Sequence, residues 1–194
     1  VAEAGAKEKF DLAKRKAEHW AWHPVKKETP PKVKKTGWPV SSIDNFILAK
    51  LEAASLKPAG PAGKRTLIRR AYYDLIGLPP TPDQITAFLK DDSPAAFAKV
   101  VDELLASQHF GERWARHWLD LMRYAETFGH EFDFPNQEVW RYRDYLIRAF
   151  NDDVPYDRFV MEHIAGDQIA PCYAKDGGWN ESRLATAWWW LGQH

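Results

Sequence analysis

Residues able to do chemistry concentrate between His109 and Asp157, where arginines, carboxylates, histidines and aromatic rings interleave (HFGERWARHWLDLMRYAETFGHEFDFPNQEVWRYRDYLIRAFNDDVPYD). Such groups are costly to bury unless each finds a partner, so a segment this rich in them builds a pocket or an internal polar network. Arg113, His117, Asp120 and Tyr124 follow one another at spacings of four, three and four residues. On a helix over 110–126 they form a narrow stripe beside an apolar face of Phe110, Trp114, Trp118, Leu121, Met122 and Ala125. A border stripe is where a helix lines a cleft, which makes His117, Asp120 and Tyr124 catalytic candidates and Arg113 a binding one. The same four residues also suit a structural network in which Asp120 orients His117 or pairs with Arg113.

A short segment, Thr127-Phe128-Gly129-His130-Glu131-Phe132-Asp133-Phe134-Pro135, follows that helix. Alternation along an extended chain sends its phenylalanines inward and Glu131 and Asp133 to the other side. With His130, these two carboxylates have the chemistry of an acid/base pair or a divalent-cation site. Their spacing matches neither the EF-hand loop nor the HExxH zinc motif, so no metal site is expected, and Glu131 and Asp133 are the only metal candidates. In the next helix Val139, Trp140, Leu146, Ile147 and Phe150 mark an apolar face that contains Arg143. A guanidinium keeps its charge, so Arg143 is expected to be buried against a carboxylate, with Asp120, Glu126, Glu131, Asp133 and Asp167 as possible partners. It would act as a structural clamp or as the binder of an anionic or hydroxylated ligand. A further helix begins near Pro155, carries Tyr156, Phe159, Val160, His163 and Ile164, and stops at Gly166. His163 falls on its apolar stripe and reads as a core histidine, while Asp167 lies within reach of Arg143 or His163.

The elements that must hold these groups are helices. Ile43, Phe46, Ile47, Leu51 and Ala54 recur at helical spacing after Ser41 or Ser42, and Leu67 to Ile76 do so before Gly77. Thr81-Pro82-Asp83-Gln84 has the spacing of a capping box with proline at the first helical position, and Ser93-Pro94 repeats the device. No segment reads as a strand, so the fold class is all-α, an orthogonal multi-helix bundle with an extended Pro/Lys-rich N-terminal arm. The divisions are an N-terminal helical segment over 1–23, an extended linker over 24–40, and a helical domain over 41–194 that is expected to be truncated at its C-terminus.

Composition narrows the function classes. The 194 residues are 45% hydrophobic and 28% charged, the balance of a soluble globular chain. Lysine plus arginine and aspartate plus glutamate both number 27, which argues against a nucleic-acid partner. No apolar run approaches the ~20 residues needed to span a bilayer. Cys172 is the only cysteine, so an internal disulfide, an Fe–S cluster and a CxxCH haem attachment within the chain are excluded. Ten tryptophans suit rigid cores, sugar platforms or interfaces. Three of them, Trp188, Trp189 and Trp190, are consecutive, and one core face cannot bury all three.

The motifs HWAWHPV, SSIDNFILAKLEAASLKP, KRTLIRRAYYDLIGLPPTPDQI and FGERWARHWLDLMRYAET, followed by WRYRDYLIRAFNDDVPYDRFV and IAGDQ, resemble the planctomycete cytochrome-c-associated domain of unknown function. The resemblance runs from Phe10 onward. It implies a periplasmic or secreted protein with haem c in flanking segments and no cofactor within this chain. Partners would be the flanking domains of the same polypeptide, a cytochrome c among them. Motif positions carried over include Arg113, His117, Asp120, Arg123, Tyr124, Glu131 and Asp133, then Trp140, Arg143, Asp144, Asp153, Asp157 and Asp167. Arg123, Trp140, Asp144 and Asp167 thereby join Arg113, His130 and Arg143 as binding candidates. The family domain continues into a haem-attachment-like CxxCH segment soon after the part matched by Ala185–Gly192, and no such motif occurs here.

Three functions compete on this reading. The first is a helical module supporting electron transfer or substrate oxidation beside a haem that the chain does not contain. The second is a domain binding or processing glycans, with carbohydrate as partner, through tryptophans and the Glu131/Asp133 carboxylates. The third is a scaffold without a site. The sequence leaves open whether the protein is an enzyme.

Overall fold

The computed structural model describes residues 10–129, 133–174 and 178–191. Among them every regular element is helical, and strand-like pairing is limited to the isolated bridges Thr127–Pro135 and Tyr173–Asn180. The all-α expectation holds.

The chain divides into two compact units, Val1–Gly60 and Pro61–His194. In the first, helix α1 (Leu12–Glu18) is capped by Asp11, whose Oδ1 accepts from the Lys14 N–H at 3.0 Å, and it buries no residue. After the 3-10 turn Trp20–Trp22 the chain runs extended to α2 (Ser42–Ala53). At the start of α2, Asp44 Oδ2 accepts the Val40 and Ser41 N–H groups at 2.9 and 2.8 Å, which lowers the pKa of its carboxyl. The lysine-rich connector is strapped down. Glu52 Oε1 accepts from the backbone N–H groups of Lys34 and Lys35 at 3.0 Å, and Asn45 Nδ2 donates to the Pro31 carbonyl at 3.2 Å.

In the second unit α3 (Lys64–Leu75), α4 (Pro82–Lys90) and α5 (Ala96–Leu105) enclose Ile68, Ala71, Tyr72, Phe88, Ala96 and Leu104. Gly77 follows α3 with φ +72, the left-handed geometry that only glycine adopts without cost. The capping box forms as the sequence predicts: Gln84 N–H donates to Thr81 Oγ1 at 3.3 Å and Thr81 N–H to Gln84 Oε1 at 2.8 Å. The repeat at Ser93-Pro94 does not cap α5. That helix starts at Ala96 behind Ala95, and the Ser93 N–H instead donates to Asp91 Oδ1.

Helices α6 (Gln108–Leu121), α7 (Trp140–Asn151) and α8 (Tyr156–Ala165), with α9 (Glu181–Leu184) and a 3-10 turn over Ala185–Trp190, build the second core around Ala115, Leu119, Tyr142, Tyr145, Leu146, Ala149, Phe159 and Ala185. Two glycines allow the close approaches. A Cβ on Gly111 would lie 2.2 Å from the Ile147 carbonyl oxygen, and one on Gly166 would lie 1.7 Å from that of Ser182. Asn151 locks α7 to the start of α6, accepting the Gly111 N–H at 2.7 Å and donating to the Gln108 carbonyl at 3.0 Å.

Three expectations need correction. Helix α6 ends at Leu121, with Arg123 left-handed at φ +54, so Tyr124 leaves the wheel that the sequence drew for it. Phe128 and Phe134 are exposed rather than turned inward, because the loop closes on its own backbone through Phe128 N–H to Phe134 O at 3.1 Å. Arg143 is half-buried, since the buried face of α7 centres on Tyr142, Tyr145, Leu146 and Ala149 and leaves Arg143 at its margin. The tryptophan run behaves as expected. Trp188 is partly covered and donates its indole N–H to the His163 carbonyl at 2.8 Å, while Trp189 and Trp190 are 56% and 69% exposed.

Candidate functional site

A cleft of about 460 Å³ opens in the second unit beside α6. Phe110, Trp114, His117, Trp118 and Leu121 recur along one face of α6 and supply one wall, as helical periodicity requires. Ala149 and Phe150 of α7, Asp153 and Val154 of the following turn, and Tyr156 and Phe159 of α8 supply the other. Asp153 is left-handed at φ +49, which turns the chain sharply between α7 and α8. The rings interlock: Trp118 meets Phe159 edge-on at 4.8 Å, Phe150 lies 5.8 Å from Phe159, and Trp114 meets His117 at 5.4 Å. His117, Asp153 and Tyr156 are exposed and are the only polar side chains of a lining that is otherwise apolar. The cleft suits an apolar or aromatic surface with a polar group at its edge.

Beneath it lies a polar core. His163 is 4% exposed, and its Nδ1 lies 2.7 Å from the Phe159 carbonyl. A carbonyl only accepts, so Nδ1 carries the proton and Nε2 is the acceptor. Trp118 Nε1 and the Tyr142 hydroxyl both sit 3.0 Å from that Nε2. Burial lowers the His163 pKa and holds the ring neutral, and burial likewise raises that of the Tyr142 phenol. A second buried group, Glu162, is held by Arg158 Nε at 2.8 Å, the Tyr145 hydroxyl at 2.8 Å and Ser182 Oγ at 3.2 Å. Arg158 also donates to Ser182 Oγ at 3.0 Å and to the Ala170 carbonyl at 3.3 Å, so this network joins α7, α8 and α9.

The stripe read from the sequence is divided. Only His117 lines the cleft. Arg113 packs its side chain over Gly77, and its Nε is buried without a hydrogen-bond partner. Asp120 is exposed, its carbonyl accepting from the Arg123 N–H at 3.2 Å, and Arg123 is exposed as well. The Tyr124 hydroxyl donates to Glu126 Oε1 at 3.0 Å, and desolvation together with that carboxylate pushes its pKa up to about 12. Arg143 Nη1 reaches the same Glu126 oxygen at 2.5 Å, and Arg143 Nε reaches Asp144 Oδ1 at 3.2 Å. The expected carboxylate partnership of Arg143 is therefore present, at half-burial. Trp140 is 43% exposed at the start of α7.

His130 and Glu131 lie outside the described residues. Asp133 is exposed and accepts the Gly129 N–H at 2.9 Å. Asp167 is exposed and accepts from Gln168 Nε2 at 2.6 Å, so it reaches neither Arg143 nor His163. Among the described residues no three His, Cys, Asp or Glu side chains come together to hold a metal. Glu162, Tyr142 and Tyr145 are not among the residues singled out from the sequence, and Trp118 is read there only as part of an apolar face. The available signals were the Arg158/Glu162 spacing of four and the two tyrosines that bracket Arg143.

Residues 42–194 match the family model PSCyt2, described as a protein of unknown function (DUF1549). No curated protein and no solved structure matches the chain.

Proposed function

The chain belongs to the PSCyt2 family, and from that membership and the geometry of the cleft we propose that it is a helical docking module of a larger, extracytoplasmic, c-type-cytochrome-associated protein. The observation that carries this reading is the aromatic cleft beside α6, whose polar groups stand at exposed positions while Trp118, Phe150 and Phe159 form its body. Such a surface excludes water from an apolar partner face and fixes its orientation through the edge groups. No described helix is long and apolar enough to cross a membrane, which is compatible with a periplasmic or secreted setting. The residues present do not fit a covalently held haem: attachment takes two thiols, and Cys172 stands alone and exposed. On this reading the haem is carried by flanking segments of the parent polypeptide. This chain supports electron transfer or oxidation there by binding and water exclusion.

The test is spectroscopic. The parent polypeptide should show c-type haem absorption in the extracytoplasmic fraction. Its isolated cytochrome segment, added to the 194-residue chain, should quench tryptophan fluorescence saturably, and Phe110→Asp should remove the saturable component. A parent without haem, or quenching unchanged by Phe110→Asp, overturns the proposal.

A further inference from the structure

A second cleft, of about 350 Å³, opens where the chain enters α7 and is lined by Glu126, Asn136, Gln137, Glu138 and Trp140, with Pro135 and Val139 behind them. We propose that it binds a neutral saccharide, a role that does not rest on the docking reading above. The chemistry on its walls matches a polyhydroxylated ring. Trp140 supplies an indole, 43% exposed, against which the C–H face of a sugar can stack. Asn136 and Gln137 bring side-chain amides that hydrogen-bond to nothing among the described residues, each offering donors and an acceptor to hydroxyl groups.

Two carboxylates complete the set, Glu126 held by hydrogen bonds and Glu138 by an ion pair alone. Glu126 receives both the Tyr124 hydroxyl and Arg143 Nη1 on Oε1, at 3.0 and 2.5 Å, which leaves Oε2 open. Glu138 pairs through Oε2 with Arg141, leaving Oε1 open. Arg141 is itself immobilised, its guanidinium carbon 3.7 Å from the centre of the Trp179 ring and 5.5 Å from that of Trp140. Glu138 is held left-handed at φ +69, a conformation that costs a non-glycine residue free energy and recurs where a side chain is aimed for binding. The cleft thus presents two oriented acceptors whose charges are already met by guanidinium groups. A cation gains little there and an anion is opposed by the free carboxylate oxygens, whereas hydroxyl donors are accommodated without a charge of their own.

The test titrates the 194-residue chain with cellohexaose, laminarihexaose and chitohexaose, followed by tryptophan fluorescence and calorimetry. At least one should bind saturably, with an affinity that does not change as sodium chloride is raised. Trp140→Ala should weaken binding at least about tenfold, and Gln137→Ala, on an exposed side chain that leaves folding intact, at least about threefold. Trp190→Ala should leave the affinity unchanged. Lack of saturation by all three sugars up to about 10 mM overturns the proposal, as does an affinity that Gln137→Ala and any folded Trp140 variant leave untouched.

Discussion

Removing Arg158 should cost far more than its position on a partly exposed helix face suggests. Its partner Glu162 has a side chain only 4% exposed, while that of Arg158 is 34% exposed. In Arg158→Met the carboxylate keeps the Tyr145 and Ser182 hydroxyls but loses its counter-charge in a place water does not reach. Stranding one member of a buried pair costs about 3–5 kcal/mol, and the partial exposure of Arg158 puts this case near about 3 kcal/mol. Glu162→Met lets Arg158 return to solvent and leaves two buried hydroxyls without their acceptor, costing about 2 kcal/mol. The double variant should then resemble Glu162→Met alone, because the arginine has no charge left to neutralise. The coupling between the two sites would be about 3 kcal/mol in favour of the double variant. Urea unfolding followed by helical circular dichroism measures all three. The reasoning fails if Arg158→Met loses less than about 1 kcal/mol or if the two single effects simply add.

Acid should weaken the fold through His163. Its folded pKa is lowered, so the unfolded chain takes up the proton first as pH falls; stability is fully present above about pH 6.5 and then declines by up to about 1.4 kcal/mol per pH unit until the folded ring also protonates. Urea midpoints between pH 8 and pH 5 should show that decline in the native sequence and a flatter line in His163→Gln. Gly111→Ala drives a methyl into the Ile147 carbonyl, where backbone cannot yield, and should cost about 3 kcal/mol or more, read as a lowered melting temperature with Asn151 still in place.

Helix punctuation was legible in this chain wherever it was carried by short-range chemistry. Thr81, Pro82 and Gln84 opened α4 as written, and Gly77 and Gly166 closed α3 and α8. The family was legible too, since the motifs that resemble it lie mostly within the residues its model matches. The site was legible as a region and not as an arrangement. No glycine or proline announces the end of α6 at Leu121, so the wheel ran on and carried Tyr124 with it. Tyr142 and Tyr145 carry hydroxyls, which mask a core position in the sequence; in the fold both are buried, and the hydroxyls are spent on His163 and Glu162. Glu162 was invisible for a different reason. It reads as half of an ordinary surface pair with Arg158, and it is α9, about twenty residues further on, that brings Ser182 against it.

Trp118 faces two ways. One side of its indole forms the wall of the cleft beside α6, and on the other the ring nitrogen is anchored to His163 and Tyr142. A ring tethered in that way has no alternative rotamer to surrender when something settles against it. Whatever settles on Trp118 meets a ring already in its final place, so at that wall the ordering entropy of association falls on the visitor. Discrimination among visitors is then a matter of their own stiffness and outline, and the times they stay will spread more widely than the rates at which they arrive.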